Sequence, residues 1–303
     1  MKTLAYAMAF LLSGLIARGQ PTGIPLYLET PESHKQTELI AAAQAVLDSG
    51  QSLTPETVRQ QFHRSSCQLE LLKPSPNKLP AREIWQQARA AYVRIGWFYF
   101  SPTNGPSRVN LSGGYALTSD GAIATAYHII EPPRDLQEGC LIAADDTGKT
   151  FPVIEILAAN RYSDTCILRL KNSTLKPLAL STNSAPGDPA YCLSDPVGRH
   201  GYFSQGIVNR YFQLAERRLP HEPGAPLFAP IRMNVSTDWS FGSSGAPVLD
   251  DCGNVIGQVS TISVETGIEA TGAGKPPESL PAPIIFHEAV SAHDVLALIK
   301  PGK

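Results

Sequence analysis

Residues 241–248 of this sequence read FGSSGAPV, and this stretch decides how the rest of the chain is interpreted. Glycine has no Cβ atom, so Gly242 and Gly245 allow a sharp turn and a close approach of the backbone to a ligand. A nucleophilic serine needs such a turn, because its hydroxyl must reach a carbonyl carbon while nearby N–H groups face the oxyanion that forms. We therefore predict Ser244 as the nucleophile, with the N–H groups of Gly242 and Ser244 as oxyanion donors.

A serine is a weak nucleophile without a base, and suitable partners occur upstream. Residues 113–130 read GGYALTSDGAIATAYHII, which is typical of two strands joined by a turn at 119–121, and His128 follows the second strand. Residues 161–171 read RYSDTCILRLK, and Asp164 comes directly before an alternating apolar run. The predicted catalytic residues therefore follow the order histidine, aspartate, serine.

The motifs TAYH, SDTCILRL and GSSGAP, in this order, make the sequence resemble the trypsin-like (chymotrypsin-fold) serine peptidases, most closely the bacterial Deg/HtrA type. The similarity covers roughly residues 91 to 300. Members of that group usually have aspartate or asparagine where this chain has Ser243. Without an aspartate there, we expect no zymogen activation through an ion pair to a new N-terminus. We also expect no peptide-binding PDZ domain before the last residue, Lys303.

The resemblance implies a mainly β fold with two six-stranded antiparallel barrels and a C-terminal helix. The first barrel would carry His128 and Asp164, the second would carry Ser244, and the cleft between them would be the active site. In this family the histidine is the general base and acid, the aspartate orients its imidazole, and the serine is the nucleophile. The expected function is a serine endopeptidase that works through an acyl-enzyme on a protein or peptide substrate. The alternative is an inactive barrel of the same fold that binds proteins or peptides.

An α/β-hydrolase is the rival serine hydrolase, and the sequence argues against it. That fold needs a G-x-S-x-G motif and a triad in the order serine, acid, histidine. Here a glycine directly follows Ser244, and both partner residues precede it.

Residues 1–19 have the pattern of a secretory signal peptide. Lys2 is followed by an apolar stretch over residues 4–17, with a small residue, Gly19, before the expected cleavage point. The stretch is shorter than the roughly 20 residues that span a bilayer, which disfavours a retained anchor. We expect an exported protein, periplasmic or secreted, with no membrane span once the signal is removed.

Composition places the chain among globular proteins, with 303 residues, 43% hydrophobic and 17% charged. The net charge of −2 gives no basic patch for nucleic acid or an anionic membrane, so we expect neither as a partner. The five cysteines are odd in number and lack metal-knuckle spacing, and we expect neither metal nor cofactor. Cys166 and Cys192 fit buried free thiols better than a disulfide. The sequence sets no oligomeric state.

Residues 20–90 read as a small helical region ahead of the peptidase domain at 91–303, whose two barrels would meet near residue 185. Helices are predicted over 38–49, from Thr54 as cap, and over 81–95, and a first barrel strand over 94–100. The region fits a pro-segment, a docking module or a brace, and we favour a brace because such short helices need packing partners. A last helix is predicted with Ser291 as its cap.

Substrate preference depends on the residue six before Ser244, which is Asp238. In trypsin-like enzymes this position forms the floor of the primary pocket, and a buried carboxylate there would favour lysine or arginine in the substrate. The alternative is a structural aspartate, with Trp239 and Phe241 filling the pocket. The opposite wall would come from residues 260–262, namely Ser260, Thr261 and Ile262. His200, which lies beside a glycine, is a weaker candidate for the cleft.

Overall fold

The computed structural model describes residues 32–103, 105–214, 229–265 and 283–300. The predicted signal peptide at 1–19 lies outside the described residues. Two closed six-stranded antiparallel barrels account for most of the structure, as expected from the sequence.

The secondary structure elements are named here in chain order. The helices are α1 (Glu32–Asp48), α2 (Pro55–Gln61), α3 (Ala81–Ala91), α4 (Tyr127–Ile130) and α5 (Ala292–Leu296). The strands are β1 (Cys67–Gln68), β2 (Tyr92–Ser101), β3 (Gly105–Ala116), β4 (Ala122–Thr125), β5 (Glu138–Ala144), β6 (Thr150–Asn160), β7 (Thr165–Leu170), β8 (Pro189–Ser194), β9 (Tyr202–Gln213), β10 (Ile231–Val235), β11 (Pro247–Leu249), β12 (Val255–Glu265), β13 (Ile284–Ser291) and β14 (Ile299–Lys300).

The first barrel has the strand order β2-β3-β4-β7-β6-β5. The predicted hairpin is present, since Tyr115 of β3 lies opposite Ala124 of β4. Gly121 in its turn has φ +94°, a conformation that favours glycine. The barrel interior is filled by large apolar side chains, including Ile95, Trp97, Ile123, Leu141, Phe151 and Leu168.

The second barrel has the strand order β10-β13-β12-β11-β8-β9. Its interior is apolar too, with buried residues that include Cys192, Val208, Met233, Val248, Ile256 and Ala289. Residues 171–188 join the two barrels. After β13 the chain forms α5, whose N-terminus is capped by the Ser291 side chain as predicted.

Three helices precede the barrels, and two of their bounds differ from the predictions. α1 reaches back to Glu32, and its buried Ala43 and Val46 pack against apolar residues of the first barrel. α2 begins after Thr54, which caps it as predicted. α3 ends at Ala91 rather than at residue 95, and the chain passes directly into β2. The residues after Ala91 form a strand rather than continue the helix, because this β-prone aromatic run pairs with both β3 and β5.

Residues 52 and 53 join the first barrel to the helical region by filling a gap between β5 and β6. Direct pairing of these strands stops at Ile142 and Pro152. Beyond that point Leu53 donates to the Val153 carbonyl at 2.8 Å and accepts from the Leu141 N–H at 3.0 Å. The buried Ser52 hydroxyl accepts from the Val153 N–H at 2.8 Å and contacts the Leu141 carbonyl. These contacts tie residues 52 and 53 to both strands of the first barrel.

We predict that Ser52→Ala lowers the free energy of unfolding by about 1–3 kcal/mol, because it leaves buried backbone groups of β5 and β6 without a partner. Chemical denaturation of both proteins measures the difference. The exposed Ser65 is the matched control, and Ser65→Ala should change stability by less than about 0.5 kcal/mol. Equal effects of the two substitutions would contradict this account of the gap.

Candidate active site

A cavity of about 500 Å³ opens between the two barrels, and its lining contains His128, Asp164 and Ser244. His128 and Asp164 come from the first barrel, and Ser244 comes from the loop before β11 in the second. The structure therefore brings the three predicted catalytic residues to one place, although the first and the last of them are more than a hundred residues apart in sequence.

His128 is held by Asp164 through its backbone and its ring. The chain leaves β4 in an extended conformation at Ala126 and turns into α4, which begins one residue before the histidine. The His128 N–H donates to Asp164 Oδ1 at 3.1 Å, and the ring Nδ1 lies 2.9 Å from Oδ1 and 3.0 Å from Oδ2. Antiparallel pairing of β4 with β7 brings the two residues together, since Thr125 lies opposite Cys166.

Asp164 precedes β7 in a left-handed conformation with φ +56°, which aspartate tolerates better than most residues. Its carboxylate accepts a further hydrogen bond from the Ser260 hydroxyl at 2.6 Å. Its carbonyl accepts from Gln258 Nε2 at 3.3 Å, and the same amide donates to the Thr125 carbonyl at 3.0 Å. Strand β12 of the second barrel therefore helps to fix the aspartate of the first.

His128 and Asp164 shift each other's pKa values. Burial lowers the pKa of His128, but the hydrogen bond and the charge of Asp164 outweigh this and raise it above its ordinary value. Burial raises the pKa of Asp164, but the ring of His128, the Ser260 hydroxyl and the His128 N–H together lower it. The pair therefore favours a charged carboxylate beside an imidazole of increased basicity.

The loop that carries Ser244 is pressed against the first barrel. The Gly113 N–H of β3 donates to the Ser244 carbonyl at 2.8 Å. Gly245 has φ +81°, and a Cβ atom there would lie 2.4 Å from the Gly113 carbonyl oxygen and from Thr125 Oγ1. Glycine is required at this position by conformation and by space, which explains the residue that the motif places after the serine.

The Ser244 side chain and the His128 ring line the same cavity, but the described residues include no hydrogen bond between Oγ and Nε2. Contacts of this kind are often long before substrate binds and shorten in the enzyme–substrate complex.

The peptide between Phe241 and Gly242, where one oxyanion donor is predicted, is held through its carbonyl group. The Phe241 carbonyl accepts from the Val197 N–H at 2.7 Å on one side of the loop. A trans peptide carries its N–H on the opposite side from its carbonyl, so the Gly242 N–H faces away from Val197. Within the described residues, neither the Gly242 N–H nor the Ser244 N–H donates a hydrogen bond, so both are available for a ligand.

The predicted wall residues Ser260, Thr261 and Ile262 line the cavity, but Asp238 does not. The Asp238 side chain is exposed, and it accepts a hydrogen bond of 3.5 Å from the Tyr202 hydroxyl. The expectation of a buried carboxylate at the pocket floor is therefore not met in the structure. Burial alternates over residues 236–239, directly after β10, so the exposed Asp238 is followed by the buried Trp239.

Trp239 and Phe241 line the cavity, as in the alternative of a structural aspartate at Asp238. Trp239 is the buried one of the two. Its side chain is only 5% exposed, lines the cavity and donates through its indole N–H to the Thr261 carbonyl at 3.2 Å. Its ring packs edge-on against the ring of His287, with the two ring centroids 5.0 Å apart. The pocket is thus bounded by an aromatic ring and by aliphatic side chains of β12.

Two further contacts were missed from sequence. Ser260 was predicted only as a wall residue, yet its hydroxyl also donates to the Asp164 carboxylate. His200 was considered for the cleft, but its Nδ1 lies 3.1 Å from Asp195 Oδ2, and it borders a different cavity. No local sequence signal marks either contact, because both depend on how distant strands align.

Within the residues that the structure describes, no group of three or more His, Cys, Asp or Glu side chains is arranged to hold a metal ion. All five cysteines are free, and Cys166 and Cys192 are buried thiols, as expected. None of the described helices has the length and apolar character needed to cross a membrane.

Comparison with known proteins gives one family match over part of the chain and several relatives. The trypsin-like peptidase domain matches residues 112–257. Protease Do-like 1, chloroplastic, from Arabidopsis thaliana is 26% identical over 167 residues, which is 53% of this chain and 35% of that protein. Putative serine protease HhoB from Synechocystis sp. is 26% identical over 179 residues, covering 57% of this chain and 38% of that protein.

A third relative is the probable periplasmic serine endoprotease DegP-like of Halomonas elongata, 26% identical over 164 residues, which is 53% of this chain and 31% of the relative. The chain therefore spans between 31% and 38% of the length of these curated relatives. Together with the two closed barrels, these matches support a trypsin-like serine peptidase and make the chain similar to proteases of the Deg/HtrA type.

Proposed function

We propose that this protein is an exported serine endopeptidase that hydrolyses peptide bonds through an acyl-enzyme. The observation that carries the proposal is the hydrogen-bonded pair of His128 and Asp164 in the same cavity as Ser244. A histidine made more basic by a carboxylate, beside a serine on a glycine-bracketed turn, is the arrangement that activates a hydroxyl.

In the first half of the reaction, Ser244 Oγ attacks the carbonyl carbon of the substrate while His128 Nε2 takes its proton. Asp164 keeps the other ring nitrogen, Nδ1, protonated and stabilises the imidazolium that forms. The N–H groups of Gly242 and Ser244 donate to the oxyanion. His128 then gives its proton to the leaving amine, and the acyl group remains on the serine.

In the second half, a water molecule takes the place of the amine. His128 removes a proton from this water, the hydroxide attacks the acyl carbon, and the same oxyanion donors stabilise the second tetrahedral intermediate. Return of the proton to Ser244 Oγ releases the carboxylic acid product. No cofactor enters either half.

The substrate is proposed to be a polypeptide with an apolar residue on the amino side of the cleaved bond. The residue enters beside Trp239, Val259 and Ile262, which line the cavity. An ammonium or guanidinium group placed there would lose its hydration without a free carboxylate to pair with, because Asp164, the acidic residue of the cavity lining, is already bound by His128 and Ser260. Two of the relatives are named as serine proteases or endoproteases, in agreement with this class of substrate.

The location is proposed from the signal peptide pattern of residues 1–19, which would direct the chain to the periplasm or the medium. One relative carries the word periplasmic in its name.

We predict that a fluorophosphonate probe labels the mature protein and that Ser244→Ala and His128→Ala abolish the labelling. The probe reacts only with an activated serine, so it reports the hydroxyl and the base that activates it. In-gel fluorescence of the three proteins measures the outcome. Ser260→Ala is the graded variant and should slow labelling without abolishing it, since Asp164 keeps its contacts with His128. A folded wild type that resists labelling would favour the alternative of a binding barrel.

We predict that kcat/KM falls at low pH with a midpoint above about 6.5, the ordinary value for histidine. Only the neutral imidazole can accept a proton, and Asp164 raises the pKa of His128 despite its burial, so activity is lost on the acid side sooner than for a free histidine. Asp164→Asn should move this midpoint to lower pH and reduce kcat by ~10³–10⁴-fold. A pH profile for a peptide substrate tests both, and an unchanged midpoint in the variant would contradict the pairing.

We predict that peptides with valine or leucine before the cleaved bond are preferred over those with lysine or arginine by at least about tenfold in kcat/KM. Asp238→Asn should leave this ratio unchanged, because the carboxylate is exposed and outside the cavity. A peptide library cleaved by both proteins gives the ratios. A preference for basic residues that disappears in Asp238→Asn would restore the expectation of a charged pocket floor.

A further inference from the structure

The connection between β8 and β9, residues 195–201, lies directly against the turn that carries the oxyanion donors. The Val197 N–H donates to the Phe241 carbonyl at 2.7 Å. A Cβ atom on Gly242 would lie 2.9 Å from the Asp195 carbonyl oxygen. We call residues 195–201 the supporting loop, because the turn at residues 241–242 rests on it.

The hydrogen bond from Val197 decides which way the peptide between residues 241 and 242 faces. If this peptide turned over, its carbonyl would face the substrate and the Gly242 N–H would be lost as a donor. Gly242 also borders a second cavity, of about 250 Å³, lined in part by Leu39 of α1 and Leu111 of β3. Because there is open space beside the turn, packing alone does not hold the peptide in place.

Val197 adopts a backbone conformation that its own side chain disfavours. It has φ +47° and ψ +37°, in the left-handed region that β-branched residues rarely enter. Its side chain is 66% exposed, so burial does not compensate for the conformation. Such a residue stays in place only when its surroundings fix it.

The Asp195 carboxylate supplies that constraint. It is a buried group, 6% exposed, and it holds both ends of the supporting loop. Oδ1 accepts from the Gly201 N–H at 2.7 Å, and Oδ2 lies 3.1 Å from the ring Nδ1 of His200. A buried carboxylate needs such partners, and their loss would free the loop.

Arg94 connects this carboxylate to the first barrel. Its Nε lies 3.9 Å from Asp195 Oδ2, and its guanidinium donates to the Asp145 carbonyl at 3.0 Å. Arg94 belongs to β2 and is buried, so the contact crosses between the barrels. The supporting loop of the second barrel is thereby fixed relative to the barrel that carries His128.

We propose that Asp195, held by Arg94 and His200, is a positioning residue for the oxyanion donor at Gly242. It acts through Val197, whose N–H fixes the Phe241 carbonyl. The proposal rests on the proposed function for its effect on catalysis, while its structural part concerns the bond between Val197 and Phe241 alone.

The test compares the wild type with Asp195→Ala, Asp195→Asn and Glu155→Gln. The last is a matched control, since Glu155 is a carboxylate paired with Arg64 at 2.6 Å, outside the residues that line the active-site cavity. Cleavage kinetics with one peptide give kcat and KM, thermal unfolding confirms that each variant folds, and a crystal structure of wild type and of Asp195→Ala shows the direction of the Phe241 carbonyl.

Asp195→Ala should lower kcat by roughly ten- to a hundredfold with little change in KM, approaching the ~10²–10³-fold loss for a missing oxyanion donor. Asp195→Asn keeps one oxygen for the Gly201 N–H and should lose less, and Glu155→Gln should match the wild type. The crystal structure of Asp195→Ala should lack the bond between Val197 and Phe241.

A folded Asp195→Ala protein with wild-type kcat would overturn the proposal, and so would a reduced kcat with that bond intact. If the wild type neither cleaves peptides nor reacts with a fluorophosphonate, the proposed function fails. The two crystal structures then decide the positioning role, since the bond either depends on Asp195 or does not.

Discussion

The site depends on one carboxylate that stays charged where little water reaches it. The side chain of Asp164 is 15% exposed, and burial of this kind favours the neutral acid. The opposing contribution comes from three donors on two different barrels: the backbone and ring of His128 and the hydroxyl of Ser260. The two His128 donors depend on the pairing of β4 with β7, and the Ser260 donor depends on the position of β12 beside Asp164. The charge of one side chain is thus maintained by the arrangement of the whole fold.

Close approach of the barrels is the second requirement, and glycines meet it. A Cβ atom on Gly113 would lie 2.7 Å from the Ala246 nitrogen, and one on Gly245 would strike the Gly113 carbonyl. The glycines around the nucleophile therefore serve two purposes. They shape the turn of the serine loop, and they let that loop touch β3 closely enough for the Gly113 N–H to bind the Ser244 carbonyl.

The sequence predicted what is local and periodic. The two barrels, the hairpin before His128, the strand after Asp164 and the glycine turn at Ser244 all follow from short patterns and from the family resemblance. The misses concern relations between distant segments. Asp238 and Trp239 are neighbours in sequence. Which of the two faces the pocket depends on how the chain is oriented after β10, and residue spacing does not define that orientation. Likewise nothing near Asp195 in the sequence shows that Arg94, from the other barrel, will face it. The end of α3 at Ala91 was missed because pairing of Tyr92 with β3 overrides a continuing helical pattern.

The pairing of β1 with β14 has a consequence for how the chain folds. Cys67 lies opposite Ile299 in a parallel arrangement, and its N–H donates to the Leu298 carbonyl at 2.8 Å. Cys67 and Gln68, which precede both barrels, therefore have their strand partners in the last described strand. Contacts of such long sequence separation are slow to form because a large loop must close first. The two-stranded sheet therefore adds a contact of long sequence separation to the fold, and it ties the segment before the first barrel to the segment after the second.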